Sequence, residues 1–289
     1  MRRISPKTII KLTRSFYSKI IPYLPKSSNR GRPQTYPDHQ IISMLLIKEV
    51  YQLSFRETIL LSKDYFKNVP SLRDFHYRAS KLMRVIQILI KFIHDYMQRG
   101  CVQTIIVDGT GIGFRKKMNL NWMRGTQVRK VKDHIRCEVV LTKGRYKLVQ
   151  YVEVGRRYAS EIKMLRKILD KMELIGRRFL ADRLYDVLWL RDYLEGRGIK
   201  SVIRVRRDGV GREEVVWEEY KERNEIEGMF GNLKGKLSGY VAAYREDMAM
   251  VLALVKFLAY NMYVAYFLSL FLARLWPVYL LLSISHTDF

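Results

Sequence analysis

The sequence predicts an α/β protein: a mixed five-stranded sheet flanked by helices, preceded by an all-helical region. Three observations predict it. Apolar stripes of helical period dominate residues 1 to 100 and then give way to short β-branched runs. The later elements come in the order three strands, helix, strand, helix, strand, helix. That order suits an antiparallel meander extended by two parallel strands through crossovers. The chain also has the apolar content to fill such a core, since 48% of its 289 residues are hydrophobic.

Residues 1 to 37 carry nine Lys or Arg and no acid, and the stretch Pro25 to Pro33 reads as a basic loop or arm. A helix is expected from Asp38, with Ile41, Ile42, Met44, Leu45, Leu46 and Val50 as its apolar stripe. A second begins near Ser54, where Ser54 and Glu57 have capping-box spacing. A third, rich in Ile, Leu and Phe, is expected over Asp74 to Gln98. These elements make residues 1–100 a helical region. Residues 101–265 are expected as the sheet domain, and 266–289 as an apolar helix and tail.

Within the sheet domain, Gln103 to Asp108 is the first strand. Arg136 to Thr142 and Tyr146 to Val154 are the next two, joined by a Lys143-Gly144-Arg145 turn. Helix follows over Ser160 to Met172, a strand over Arg178 to Ala181, helix over Tyr185 to Glu195 and a fifth strand over Lys200 to Val205. A last helix runs from about Glu219 to Leu237. Phe257 to Ala273 is 17 residues without charge, bracketed by Lys256 and Arg274 and interrupted by tyrosines and an asparagine. It reads as a buried closing helix and not as a membrane span, which needs about 20 apolar residues. The tail from Leu275 matches nothing recognisable.

Charge narrows the function. Lys plus Arg is 53 against 28 for Asp plus Glu, a formal net charge of +25. A folded protein this basic attracts polyanions, nucleic acid first and anionic lipid second. A catalyst confined to small neutral metabolites is not expected. Two cysteines, Cys101 and Cys137, exclude a disulfide framework or a Cys-rich zinc module. No apolar segment of signal-peptide type follows the basic N-terminus, so the cytoplasm is expected, close to the nucleoid. From Arg115 to Lys147 eleven basic residues face two acids, Asp133 and Glu138. Arg115, Lys116, Lys117, Arg129, Lys130 and Lys132 are read as a track for DNA phosphates. Trp122 within it either stacks on a base or plugs the local core, and His134 is a polar contact without a second His at ligand spacing.

Three acids suggest chemistry. Asp108 ends the first strand and Asp182 the fourth, and ligands of open α/β sheets sit beyond strand C-termini. If those strands are neighbours, the carboxylates repel unless a proton or a divalent cation intervenes. All-oxygen ligation favours Mg²⁺ or Mn²⁺ over zinc. On the last helix, Tyr220, Arg223, Glu227 and Lys234 fall within roughly 60° of each other, beside an apolar stripe of Ile226, Met229, Phe230, Leu233 and Leu237. Gly228, Gly231 and Gly235 flank the polar stripe; a smooth flank for a DNA backbone would explain them. Each acid also has an ordinary reading: a turn at Asp108, a helix N-cap at Asp182, an i, i+4 pair of Glu227 with Arg223. In order and on compatible elements, the joint catalytic reading is the stronger. Asp186, a turn beyond Asp182, is read as structural.

The spaced set Tyr220-x2-Arg223-x3-Glu227-x6-Lys234 resembles the Tyr-x2-Arg-x3-Glu-x6-Lys motif of DDE transposases from prokaryotic insertion sequences. Val107-Asp108-Gly109-Thr110 and Ala181-Asp182-Arg183-Leu184-Tyr185-Asp186 stand upstream in the family's order and are similar to its first and second aspartate motifs. Gly31-Arg32-Pro33, Leu53-Ser54-Phe55-Arg56-Glu57 and Phe257-Leu258-Ala259-Tyr260-Asn261 resemble flanking segments, so the likeness spans about residues 30 to 265. It implies a ribonuclease-H-like core without the large β insertion of some relatives. It also implies two Mg²⁺ or Mn²⁺ ions held by Asp108, Asp182 and Glu227, and phosphate contacts from Arg223 and Lys234 with Tyr220 alongside. The implied activity is binding of the element's terminal repeats, 3′-end cleavage and strand transfer, by a homodimer on double-stranded DNA. Neither a membrane nor a small-molecule substrate is expected. A structure-selective nuclease on the same fold, and an inactive DNA-binding derivative, remain the alternatives.

Overall fold

The computed structural model describes residues 4–24, 34–114, 119–124, 127–205 and 216–284. Five helices come first: α1 (Pro6–Ile20), α2 (Asp38–Tyr51), α3 (Phe55–Ser62), α4 (Leu72–Ser80) and α5 (Met83–Gln98). The capping box at α3 is complete, with Ser54 and Glu57 each bonding the other's backbone N–H. The basic N-terminal stretch holds more order than its composition suggests. Ser5 caps α1, Pro6 opens it, and Ile9, Thr13, Phe16 and Ile20 form its buried stripe. The arm around Gly31-Arg32-Pro33 lies outside the described residues.

The single helix expected over Asp74 to Gln98 is two. Ser71 caps α4, and the chain turns at Lys81 and Leu82, where Leu82 is buried. The break lets α4 bury Phe75 and Ala79 while α5 turns Ile86, Leu89, Ile90 and Ile93 into the core.

The sheet begins with β1 (Val102–Phe114), followed by β2 (Asn119–Arg124), β3 (Gln127–Lys132), β4 (His134–Gly144) and β5 (Lys147–Gly155). Then come α6 (Glu161–Leu169), β6 (Arg178–Ala181), α7 (Leu188–Glu195) and β7 (Lys200–Ile203). The main sheet has the order β5-β4-β1-β6-β7. β4 and β5 pair antiparallel as a meander with β1, and β6 and β7 return in parallel. This is the mixed sheet expected, with β1 and β6 neighbours, and its strand order is that of a ribonuclease-H-like core.

Two features enlarge it. β1 runs six residues past Asp108, and a two-residue strand β8 (Tyr240–Val241) pairs in parallel with its far end. The extension contains Gly109, Gly111 and Gly113, which lack the β-branched signature of a buried strand. β2 and β3 form a separate antiparallel hairpin in the basic stretch. Arg129, Lys130 and Lys132 lie on β3, whereas Arg115, Lys116 and Lys117 lie outside the described residues.

The last expected helix is three consecutive segments: α8 (Trp217–Tyr220), a 3₁₀ turn (Lys221–Arg223) and α9 (Asn224–Leu237). α10 (Glu246–Ile284) closes the fold. Its span Glu246–Leu270 is long and apolar enough to cross a membrane by length and composition, but 78% of its most apolar window is buried inside the protein. Asn261 fills the core side of this helix, donating to Val149 O at 2.7 Å and accepting from Val149 N at 3.0 Å, so β5 satisfies it.

The sheet separates two hydrophobic clusters. One joins the N-terminal helices, α9 and α10; the other lies between the sheet and α6 and α7. Side chains alternate along β1: Ile106 joins the α9 side, Ile105 and Val107 the α6 side. Asp108 therefore points toward α9.

Candidate active site

β1 and β6 carry the two aspartates to the same level. Ile106 and Leu180 are the last pair of the parallel ladder; Asp108 and Asp182 each follow two residues later, close enough for the Asp182 charge to act on Asp108. Asp108 is largely buried, and its Oδ1 accepts from the Gly109 N–H at 3.0 Å. Burial, with the nearby Asp182 and Glu161 carboxylates, pushes the Asp108 carboxyl up to about 6, although Arg223 and the Gly109 N–H pull the other way. Asp182 also acts as the N-cap of the short 3₁₀ turn that follows, accepting from the Leu184 N–H at 2.6 Å.

α9 lays its polar stripe over this pair. Arg223 donates from Nη2 to Asp108 Oδ2 at 2.9 Å and from Nη1 to Glu227 Oε1 at 2.8 Å. Burial alone would weaken the Arg223 charge, but Asp108, Tyr220 and Glu227 outweigh it and hold the guanidinium more firmly protonated than usual. Lys234, about two turns beyond Glu227, donates to Thr110 Oγ1 at 2.8 Å. Tyr220 is half-buried, stacks on Trp217 and lies with it beneath the Arg204 guanidinium. Burial raises its hydroxyl pKa, with Asp182 and Asp108 contributing.

Tyr220, Arg223, Lys234 and the two aspartates thus come together, whereas Glu227 is turned outward. Its side chain is 56% exposed and engaged by Arg223. Among the described residues no three His, Cys, Asp or Glu side chains converge closely enough to hold an ion as they stand. The ordinary readings of Asp182 and Glu227, as a cap and an i, i+4 partner, are physically realised here and coexist with their place at the site. Asp186 is buried and paired with Arg191 at 2.8 Å, a structural carboxylate.

Residues 99–262 match the family described as Transposase DDE domain. The chain belongs to that family. The matched segment contains all three acids, Arg223 and Lys234. An uncharacterized protein of Aquifex aeolicus (strain VF5) is 29% identical to this DDE-domain protein, over 91% of this chain and 88% of its own. Among solved structures, the piggyBac transposase synaptic complex with hairpin DNA is similar at TM-score 0.46 and 10% identity, covering 90% of this chain and 75% of that one. The Mos1 strand transfer complex is similar at TM-score 0.30 and 12% identity, covering 91% and 86%.

Residues that sequence reasoning passed over crowd the reverse side of the site in this DDE-domain protein. Glu138 on β4 stands opposite Gly109 and is completely buried. Tyr185 donates to its Oε1 at 2.7 Å. Glu161, in the first turn of α6, is paired with Arg136 and lies against Gly109, where a Cβ would collide with its carboxylate. Glu138 had a legible signal: a carboxylate inside the run Cys137-Glu138-Val139-Val140-Leu141 interrupts an apolar strand. Glu161 had none, since an acid in the first turn of a helix is ordinary.

Proposed function

We propose that this protein is an active DNA transposase that binds the ends of its own element, cleaves at their 3′ ends and joins them to a target. The observation that carries the reading is the meeting of Asp108 and Asp182 under two cations, Arg223 at the N-cap of α9 and Lys234 within it, in a chain of the Transposase DDE domain family. The donor set fits Mg²⁺ or Mn²⁺. It is all oxygen, and the Asp108 carboxyl, raised by burial among like charges, is one that a cation would relieve. Asp108 and Asp182 would hold the metal. Glu227 would join them once Arg223 releases it.

Two such ions, when bound, activate the attacking oxygen and stabilise the leaving 3′ oxygen in an in-line displacement at phosphorus. The chain's own residues do the rest. Arg223, relieved of Asp108, presents its fork to a phosphate near the scissile bond, and Lys234 adds a point charge beside Thr110. Tyr220, with its raised pKa, stays protonated and donates a hydrogen bond; no covalent link to it is needed. The basic hairpin of β2 and β3, with Arg129, Lys130 and Lys132 and the preceding Arg115, Lys116 and Lys117, neutralises phosphates flanking the site. Residues 1–100 act as the DNA-binding region, 101–265 as the catalytic domain, and a homodimer brings two ends together.

The test uses purified protein with DNA carrying the sequences that flank its gene, scored for 3′ cleavage and joining with Mg²⁺ or Mn²⁺. Metal-dependent cleavage and joining, lost in Glu227→Gln, is the expected result. Cleavage without joining identifies a nuclease, and tight binding without cleavage an inactive derivative. Equal cleavage by wild type and Glu227→Gln removes Glu227 from the site.

A further inference from the structure

Tyr185 and Glu138 are both completely buried, and neither takes part in the reaction proposed above. Tyr185 lies in the 3₁₀ turn that Asp182 caps, just after β6. Glu138 lies on β4, on the other side of β1. Their hydrogen bond of 2.7 Å therefore starts at the Asp182 turn, passes β1 at the level of Gly109 and ends two strands away. Asp108 is the residue next to the point of crossing. Gly109 leaves that crossing free of a side chain, and the space above it is taken by the Glu161 carboxylate.

Such a pair is a poor way to fill a core. A buried carboxyl is costly unless its oxygens are satisfied. Here Glu138 Oε2 has no hydrogen-bond partner among the described residues. Phe and a Leu- or Met-sized side chain would pack the same volume without that penalty. What the polar pair supplies, and apolar packing does not, is a directional bond of fixed length between the turn bearing Asp182 and the strand pair bearing Asp108. β6 is only four residues long and its pairing to β1 ends at Leu180, so the ladder does not itself reach Asp182.

We propose that Tyr185 and Glu138 are positioning residues, whose hydroxyl–carboxyl bond sets the separation of Asp182 from Asp108. The inference rests on the metal-binding reading of the aspartate pair. Hydrogen bonds behind metal ligands commonly control affinity by about 10- to 100-fold, and this bond acts one step further back, through the turn.

The experiment is a Mn²⁺ titration of the full chain without DNA, followed by the electron paramagnetic resonance signal of free Mn²⁺, with a thermal melt of every variant. Tyr185→Phe and Glu138→Met are expected to weaken Mn²⁺ binding by about tenfold or more while keeping a cooperative melt. Glu138→Gln, which keeps an acceptor oxygen for Tyr185, is expected to restore affinity relative to Glu138→Met. Unchanged Mn²⁺ affinity in both Tyr185→Phe and Glu138→Met overturns the proposal, as does loss of the melting transition in both, which would make the pair a core element. Wild-type protein that binds no Mn²⁺ overturns the metal reading, and the positioning role with it. Binding in wild type that Asp108→Asn abolishes and Tyr185→Phe leaves alone overturns the positioning role only.

Discussion

Arg223 holds Asp108 at 2.9 Å, so a guanidinium stands where the aspartate pair would meet a cation. The same guanidinium holds Glu227 at 2.8 Å. Under the metal-binding reading proposed above, metal and arginine compete for carboxylates, and Arg223→Gln is expected to affect metal binding and cleavage differently. At pH 8 the variant is expected to bind Mn²⁺ at least as tightly as wild type, because no cation must be displaced. Its DNA cleavage is expected to fall about 100-fold or more, as when a donor to developing charge is removed. The pH midpoint of Mn²⁺ binding also moves up, since the Arg223 charge that lowers the Asp108 pKa is gone. Loss of Mn²⁺ binding at pH 8 would place the guanidinium in the scaffold of the metal site instead.

Asp108 makes stability depend on pH in the direction opposite to a paired surface aspartate. Its folded pKa, about 6, lies above the ordinary 3.8. Between those values the folded chain holds a proton that the unfolded chain has lost, so stability falls as pH rises through the window and levels off above it. Two pH units correspond to roughly 3 kcal/mol. Asp108→Asn is expected to flatten that fall and to be more stable than wild type at pH 7.5, by up to that amount, while losing cleavage. Urea melts of both proteins from pH 4 to 8 check it; parallel curves across the window would remove the carboxyl from consideration.

Lys234 is expected to act on any DNA sequence alike. It reaches Thr110 at 2.8 Å, a neutral partner that a phosphate can replace. Lys234→Ala should weaken DNA binding uniformly and reduce the slope of log affinity against log salt by about one. A slope equal to that of wild type would mean that Lys234 never leaves Thr110.

Much of this site was legible because it follows from periodicity. Arg178 to Ala181 is a strand with the boundaries its short apolar run Phe179-Leu180-Ala181 suggests, and a crossover then requires it to lie parallel to β1. With β6 next to β1 in the strand order, that direction puts Asp182 at the same end of the sheet as Asp108. The stripe from Tyr220 to Lys234 survives its 3₁₀ interruption because Arg223, Glu227 and Lys234 stand at its end or beyond it. Illegible were the features decided by tertiary fit. α4 and α5 separate at Leu82 because two faces need burial in different directions, and no Gly or Pro marks the break. Glu227 faces Arg223 and not the aspartates, a choice between two partners that local sequence leaves equal.

The bare flank of α9 gives a prediction in which stability and function move apart. Gly228, Gly231 and Gly235 are exposed, and a Cβ at any of them meets nothing within 4 Å. Alanine at each is expected to stabilise the helix by about 1 kcal/mol. If the flank admits a DNA backbone, the triple variant melts at higher temperature yet binds element-end DNA more weakly. A higher melting temperature with unaltered DNA affinity would leave these glycines without a role at the interface.

The buried ion group at the base of α9 sets the largest expected loss of stability. Glu49 on α2 accepts from Lys48 at 2.9 Å and pairs with Lys256 of α10 at 2.5 Å, and all three are almost completely buried. Lys256 also donates to the carbonyl of Leu237, the last residue of α9, a favourable place for a cation. Burial pulls the Lys256 pKa down, while Glu49 opposes it. Among the described residues Glu49 is thus the single anion paired with these two buried lysines, and it links the N-terminal helices to the end of the helix bearing Glu227. Glu49→Gln leaves both ammonium groups uncompensated, and about 3–5 kcal/mol of stability is expected to be lost. Adding Lys256→Met should recover part of it, because an apolar side chain no longer needs the counter-charge. Denaturant melts of the single and double variants measure both steps. A single variant within 1 kcal/mol of wild type, on the order of a surface substitution, would show that water reaches these lysines.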